Sequence, residues 1–178
     1  MDGSVYEYQP SFILGFHGCQ RSVGEAILAG KEPHLKPSEK KWDWLGHGIY
    51  FWEGKISDPF VIGAIIDLRH CLDLFDREAM RQVTETFSTL RELFIQTGRA
   101  MPQNTGVTPD KAGRQLDCMV MNTLHVIREA SGQQAYDSVR GPFLEGEPIY
   151  DGAGFRSHSH IQICLRTTGC IKGYFRPL

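Results

Sequence analysis

The chain has 178 residues, of which 41% are hydrophobic, and this is enough to bury the core of one domain spanning residues 1–178. A formal net charge of −2 gives no basic surface that would coat nucleic acid, although a local basic groove remains compatible with it. No apolar run is long enough to span a bilayer, and the polar start Met1–Ser4 is unlike a secretory leader. Five cysteines without CxxC spacing are typical of a reducing compartment, so we expect a cytoplasmic protein.

The first part of the chain predicts two strands around one short helix. Residues 11–16 form an apolar run typical of a buried strand. Ser22–Glu25 has the spacing of a capping box, which predicts a helix that Gly30 ends. Ile49–Trp52 predicts a second strand, whose alternation places Tyr50 and the following tryptophan on one face.

The middle of the chain predicts a central strand followed by a helix. Residues 60–68 are apolar on both faces, which favours a central strand, and residues 72–75 continue or neighbour it. Asp76 is placed to cap a helix that ends at Gly98. The apolar stripe of this helix comprises Val83, Phe87, Leu90 and Phe94.

The last third predicts a second helix and three strands. The helix begins at about Lys111, after a turn-rich connection over residues 104–109, and Gly132 ends it. Its inward-facing residues are predicted to be Leu116, Val120, Leu124 and Ile127. The strands are predicted over residues 137–140, 161–166 and 170–175.

Two glycine-flanked segments suggest a pocket for a flat ligand. The first is Gly15-Phe16-His17-Gly18, and the second is Gly46-His47-Gly48-Ile49-Tyr50-Phe51. Glycine lets backbone N–H and C=O groups approach a ligand closely, the histidine offers a directional hydrogen bond, and the tyrosine offers a ring for stacking. Together they predict a site for an aromatic amide beside a ribose, which is the nicotinamide end of NAD.

A third group of polar residues lies on the predicted strand over residues 161–166. Alternation places His160, Gln162 and Cys164 on one face and the isoleucines and leucine between them on the core face. The polar face meets either solvent or a pocket. The His158-x-His160 pair and Cys164 also raise a metal site, but nothing else has ligand spacing, so we predict no metal.

These three segments together resemble the ADP-ribosyltransferase superfamily, on its diphtheria-toxin and poly-ADP-ribose-polymerase side. That side carries a histidine, a tyrosine and a variable third residue on three separate strands. The resemblance implies an α+β fold, a split mixed β-sandwich that holds NAD, as co-substrate, in the cleft between its halves. The chain also looks like bacterial proteins of unassigned function and like toxin-type transferases of phage-defence systems, which implies a neutralising antitoxin as a partner.

The resemblance also implies roles for individual residues. His17 corresponds to the histidine that bonds the nicotinamide-side ribose, Gly18 and Gly48 to backbone contacts, and Tyr50 to the stacking ring. The third position usually holds a glutamate, whereas here it is Gln162 or His160. Neither has a fixed negative charge at neutral pH. Members without this glutamate tend to transfer a single ADP-ribose, so the resemblance implies mono-ADP-ribosylation.

Of the two candidates for the third position, we predict Gln162. It lies one strand step further into the sheet, where a polar side chain is costly unless it has a hydrogen-bond partner. A ligand hydroxyl would supply that partner. His160 lies nearer the loop before the strand and is expected to be solvent-exposed.

Other charged residues extend the predicted site. Glu145, Glu147 and Asp151 lie in a loop that corresponds in position to the family's target-recognition loop, and one of them could replace the missing charge. Arg140 and Arg156 are candidates for contacts to the diphosphate or the acceptor, although surface arginines need no such role.

The segment from Glu53 to Pro59 is shorter than the resemblance implies, since a helix of the cleft wall normally follows the tyrosine strand. Either that helix is lost or the sequence omits residues.

The sequence therefore predicts an enzyme that transfers ADP-ribose from NAD to a protein, RNA or DNA acceptor and releases nicotinamide. Two alternatives remain open. Water would be the acceptor in an NAD glycohydrolase, and a silent NAD- or ADP-ribose-binding module would release no nicotinamide. The acceptor and the oligomeric state cannot be inferred from the residues.

Overall fold

The structure, a computed structural model, describes residues 12–54, 60–106 and 113–178 and has an α+β fold. The helices are α1 (Arg21–Leu28), α2 (Arg77–Thr97) and α3 (Gln115–Ala130). The strands are β1 (Phe12–Gly18), β2 (Ile49–Glu53), β3 (Val61–Asp67), β4 (Cys71–Asp73), β5 (Asn104–Thr105), β6 (Gly113–Arg114), β7 (Ser138–Phe143), β8 (His160–Leu165) and β9 (Ile171–Phe175). No helix among these residues combines the length and the apolar character that crossing a bilayer requires.

Seven strands form one sheet in the order β4-β7-β8-β2-β1-β3-β9, while β5 and β6 form a separate hairpin. Only the pairing of β4 with β7 is parallel among the pairings described. The two halves of the sheet meet between β1 and β2, where the pairing is confined to Phe16 opposite Trp52. The seven strands thus belong to one sheet whose pairing is reduced to a single residue pair between β1 and β2.

The buried residues form two clusters. The first cluster lies inside the curl of the sheet, because residues of both halves contribute to it, among them Phe51 of β2, Ile66 of β3 and Ile163 of β8. At Gly15, a Cβ atom would lie 2.5 Å from Ile66 and 2.9 Å from Phe51, so the halves pack too closely there for any side chain. The second cluster lies beneath α2 and α3 and consists of Trp44, Leu45, Leu72, Ala79, Met121, Leu124, Tyr136, Val139 and Cys164.

Helix α2 confirms its sequence signals at both ends. The Asp76 carboxylate accepts a hydrogen bond of 2.9 Å from the backbone N–H of Glu78, and Gly98 ends the helix in the left-handed conformation. At α1 the predicted capping box is wrong. The helix begins one residue before Ser22, and the N-cap residue Gln20 makes no side-chain capping bond.

The start of α3 was predicted too early. Lys111 lies outside the described residues, and the helix begins at Gln115, directly after β6. A distant residue caps it: the side-chain oxygen of Asn104 accepts from the backbone N–H groups of Leu116 and Asp117 at 3.0 and 3.2 Å. Ile127, predicted to face inward, is exposed.

The predictions for two neighbouring strands have different outcomes. β3 is an interior strand, paired with β1 and β9, but Ile65 on its outer face is exposed, so the apolar run over residues 60–68 is not buried on both faces. β4 does not neighbour β3 but forms the opposite edge beside β7. Only three residues separate β3 from β4, so the sheet must curl enough to bring its two ends close together, which a local pattern does not reveal.

Candidate functional site

An open cleft of about 500 Å³ lies where β1 and β2 separate. Three of the residues predicted for the site, His17, Tyr50 and Gln162, line it. The other lining residues are Lys36, Pro37, Ser38, Lys40, Trp42, Asp43, Trp44, Trp52 and Phe143. The tertiary structure thus brings together one residue from each of the three predicted strands, and surrounds them with aromatic rings and two lysines.

His17 is fixed by the neighbouring strand. Its Nδ1 lies 2.7 Å from the backbone carbonyl oxygen of Tyr50, and because a carbonyl only accepts, Nδ1 carries the proton and donates. A neutral ring in this tautomer presents Nε2 as an acceptor. The ring also packs at 5.8 Å from Phe51 and 6.2 Å from Trp52. His17 is therefore held in one orientation at the edge of the cleft.

Tyr50 lines the cleft and also closes a turn. Its hydroxyl donates to the carbonyl of Gly46 at 2.8 Å and accepts from the backbone N–H of Leu45 at 3.0 Å. Burial, followed by the charges of Cys164 and Asp43, raises the pKa of the phenol. The hydroxyl is thus a neutral clamp on this turn, and the ring is the part of Tyr50 that a ligand can meet.

Gln162 is buried and fully oriented by protein groups. Its side-chain oxygen accepts from Nε1 of Trp44 at 2.8 Å, and its amide nitrogen donates to Nε2 of His160 at 2.8 Å. His160 in turn donates from Nδ1 to the carbonyl oxygen of His158 at 2.7 Å. An amide nitrogen carries two hydrogens, so the bond to His160 leaves one that Gln162 can donate toward the cleft.

This chain of hydrogen bonds changes two predictions from the sequence. Protein groups, not a ligand hydroxyl alone, compensate for the burial of Gln162. His160 is half-buried rather than solvent-exposed, packs at 5.2 Å from Phe143, and is not among the cleft-lining residues. His160 therefore orients the Gln162 amide by a hydrogen bond without lining the cleft itself.

The two predicted glycine contacts are placed differently. Gly18 ends β1 directly after His17, beside the cleft. Gly48 is buried against β8, where a Cβ atom would lie 2.5 Å from the carbonyl oxygen of Leu165 and 2.6 Å from Sγ of Cys164. Close packing between strands, rather than a ligand, explains the glycine at position 48, and Gly48 does not line the cleft.

The predicted arginines make protein contacts away from the cleft. Arg140 donates to Glu53 at 2.6 Å and to Asp73 at 3.2 Å, so its charge is already balanced by two carboxylates. Arg156 donates to the backbone carbonyl of Gly146 at 3.0 Å. Neither lines the cleft, and their prediction as diphosphate contacts is revised accordingly.

The three acids of the loop between β7 and β8 are exposed, and none lines the cleft. These are Glu145, Glu147 and Asp151. The part of the chain that the structure describes contains no group of three or more ligand-type side chains that could hold a metal ion, and His158 and His160 form no such site.

Sequence reasoning missed the segment before β2. The cleft is lined by Lys36, Lys40, Asp43 and Trp44, none of which the sequence analysis predicts for the site. One signal was present: Trp42-Asp43-Trp44 concentrates large rings around a carboxylate just before a glycine-rich strand entrance. Large aromatic side chains in a loop favour a binding surface.

Comparison with known proteins finds no match among protein-family models, curated proteins or solved structures. The functional argument therefore depends on the residues of this cleft and on their geometry.

Proposed function

We propose that the chain is an NAD-dependent mono-ADP-ribosyltransferase with an ADP-ribosyltransferase-like fold. The observation that carries the proposal is the convergence of His17, Tyr50 and Gln162, from three strands, on one aromatic cleft. The cleft lies at the weak junction of β1 with β2, and this position corresponds to the cleft between the halves of a split sheet. Its volume of about 500 Å³ falls within the usual range of small-molecule sites.

The cleft offers a partner for each part of NAD. The rings of Tyr50 and Trp52 can stack on nicotinamide, and Nε2 of His17 can accept a hydrogen bond from a ribose hydroxyl. Lys36 and Lys40, rather than the arginines, are the cations available to the diphosphate in this cleft. Gln162 can donate its remaining N–H to a sugar or acceptor oxygen.

The reaction breaks the bond between the ribose C1′ and the nicotinamide nitrogen. The bonding electron pair stays on that nitrogen, so neutral nicotinamide leaves while positive charge develops on the sugar. An oxygen or nitrogen of the acceptor forms the new bond to C1′ and releases its proton to solvent. Holding NAD in a stretched geometry by His17 and the aromatic rings lowers the barrier by preorganisation.

The acceptor is a macromolecule, because the cleft is open on one side and lies beside an exposed loop. That loop, between β7 and β8, presents large apolar side chains to solvent, namely Leu144, Ile149, Tyr150 and Phe155. Several exposed large apolar side chains in one loop favour contact with another molecule.

Release of nicotinamide tests the proposal. Purified protein is incubated with NAD labelled in the adenine part, alone and with a bacterial lysate, and protein is then separated from nucleic acid. Transfer requires label on a macromolecule together with acceptor-dependent nicotinamide release. Nicotinamide release without an acceptor would instead identify a glycohydrolase, and NAD binding without release would identify a silent binding module.

Two variants connect the assay to the cleft. His17→Ala and Tyr50→Phe separate ligand contact from folding, because the first removes a ligand contact, whereas the second removes the hydroxyl clamp on Gly46 and keeps the ring. We expect His17→Ala to lower turnover at least about tenfold. Tyr50→Phe keeps the stacking ring and should retain most NAD affinity. Unchanged turnover in folded His17→Ala would contradict the proposal.

A further inference from the structure

The cleft contains a carboxylate that the third strand lacks. Among the residues that line it in the described parts of the chain, Asp43 is the sole acid. Its residue surface is only 8% exposed, yet it reaches the cleft. Burial of a carboxylate costs free energy unless hydrogen bonds or an opposite charge compensate for it. The groups around Asp43 therefore indicate its role.

The backbone holds Asp43 rigidly. Its Oδ2 accepts a hydrogen bond of 2.7 Å from the backbone N–H of Lys40, and its own N–H donates to the carbonyl of Lys40 at 3.1 Å. The carbonyl of Asp43 accepts from the N–H of Gly46 at 2.7 Å, and Gly46 is bound by the hydroxyl of Tyr50. Asp43 is therefore tied to the turn that Tyr50 clamps.

Asp43 has no ion-pair partner in direct contact among the residues that the structure describes. Within the described ranges, no lysine, arginine or histidine nitrogen forms a salt bridge with it. Within the same ranges, the side-chain hydrogen bond is accepted by Oδ2, and Oδ1 accepts none. Asp43 also acts electrostatically on a cleft residue. The pKa of the Tyr50 phenol is raised first by burial, then by Cys164, and then by Asp43.

The other described acids that neighbour the site or were predicted for it do not line the cleft. Glu53 and Asp73 are both bound to Arg140, at 2.6 and 3.2 Å. Glu145, in the loop before β8, is exposed and outside the cleft-lining set, as are the other two acids of that loop.

We propose that Asp43 is the carboxylate that stabilises the positive charge on the ribose as nicotinamide leaves, in the role that a glutamate on β8 would otherwise fill. This inference rests on the proposed transferase function. Oδ1 faces the sugar and stabilises the cation electrostatically, while Gln162 contributes only hydrogen bonding. Asp43 gains no proton and forms no bond in this step. The glycosidic electron pair leaves with nicotinamide, and the acceptor's proton goes to solvent.

The decisive variant is Asp43→Asn, which is nearly isosteric. The amide oxygen of asparagine can still accept from Lys40, so the turn is retained while the charge is lost. We expect the NAD dissociation constant to change less than about threefold. Nicotinamide release should fall by about 100-fold or more, the loss typical when a charge-stabilising group is removed. The matched control is Glu92→Gln, which removes an exposed acid of α2 outside the cleft-lining set and should leave both quantities unchanged.

Two further variants separate charge from structure. Asp43→Glu keeps the charge and should release nicotinamide faster than Asp43→Asn, whereas a purely structural role would make both equally slow. Adding Gln162→Glu to Asp43→Asn returns a carboxylate to the cleft and should restore release at least about tenfold. These two comparisons remain informative if Asp43→Asn lowers the melting temperature, because each is made per folded molecule.

The outcomes separate this inference from the function on which it rests. Wild-type protein that binds NAD but releases no nicotinamide contradicts the transferase proposal, and the role of Asp43 falls with it. Active wild-type protein with equally active Asp43→Asn overturns only the role of Asp43. Loss of NAD binding in folded Asp43→Asn also overturns it, because the residue would then serve binding and not the developing charge.

Discussion

The indole nitrogen of Trp44 donates a hydrogen bond of 2.8 Å to the side-chain oxygen of Gln162, across 118 residues of sequence. This bond joins the segment before β2 to β8 and orients the Gln162 amide with its oxygen toward Trp44. The nitrogen of Gln162 is consequently directed to His160 at 2.8 Å. A single amide therefore connects one wall of the cleft to the loop that precedes β8.

We expect Trp44→Phe to uncouple that connection. The oxygen of Gln162 would lose its donor in a buried place, which costs about 1–3 kcal/mol. Chemical denaturation should show this loss, and turnover of NAD should fall because the amide then keeps only its bond to His160. Trp42→Phe is the control, since Trp42 is exposed and its change should cost less than about 0.5 kcal/mol. Equal stability of the two variants would argue against the bond.

Gln162 and His160 should differ in their effects on catalysis. Gln162→Ala removes the group that faces the cleft and should abolish transfer, with little change in NAD affinity. His160→Ala removes only a hydrogen-bond acceptor behind the amide, so most activity should remain. Steady-state kinetics of nicotinamide release and calorimetric NAD binding measure both. If His160→Ala is inactive while Gln162→Ala is active, the assignment is reversed.

Gly48→Ala should destabilise the protein without altering NAD binding per folded molecule. Its Cβ would lie 2.5 Å from the carbonyl oxygen of Leu165, and such overpacking costs about 1–3 kcal/mol. Gly154→Ala is the matched control, because its Cβ would meet nothing within 4 Å. Denaturation curves measure stability and NAD titrations measure affinity. Together they distinguish close packing from ligand contact as the reason for a glycine at position 48. A stable Gly48→Ala variant with weakened NAD binding would restore the glycine to the ligand site.

The lysines of the cleft should matter more to NAD affinity than the arginines. We expect Lys36→Gln and Lys40→Gln each to weaken binding about tenfold, since a charge-assisted hydrogen bond contributes about 1.5–3 kcal/mol. The loss should shrink at high salt. Lys41→Gln serves as the control because Lys41 is exposed and outside the cleft. Arg140→Gln should lower stability and leave affinity intact, and the opposite pattern would favour the arginine.

The buried side chain of His125 should make the free energy of unfolding depend on pH. It is 2% exposed, and neither ring nitrogen has a hydrogen-bond partner within the described residues. Burial, with smaller contributions from Arg166 and Arg128, lowers its pKa from 6.5 to about 3. The unfolded chain therefore binds a proton that the folded chain excludes. This contribution is complete above pH 6.5 and is lost as the pH falls toward about 3.

The loss of stability from this residue should reach at most about 1.4 kcal/mol per pH unit within that window. His125→Leu should flatten the fall in unfolding free energy between pH 7 and pH 5, as measured by denaturant titration. His158→Asn, at an exposed histidine, should leave the slope as in the wild type. An unchanged slope in His125→Leu would show that other groups govern this range.

Much of the local structure follows from short-range signals. Asp76 and Gly98 delimit α2 because a capping carboxylate and a left-handed glycine act within one helical turn. The alternation in β2 likewise places Tyr50 toward the cleft and the fully buried Phe51 toward the core. Signals that depend on distant partners failed: the start of α3 depends on the side chain of Asn104, eleven or more residues earlier.

The sequence by itself determined the residue types of the site and the strands that carry His17, Tyr50 and Gln162, because strand alternation and glycine spacing are local properties of the chain. Tertiary structure alone decided which charged groups join them. Lys36, Lys40 and Asp43 enter the cleft because the segment before β2 folds over β8. Arg140 does not line the cleft because its position on β7 places it in ion pairs with Glu53 and Asp73. Electrostatic partners are chosen by distance in space, which separation along the chain does not encode.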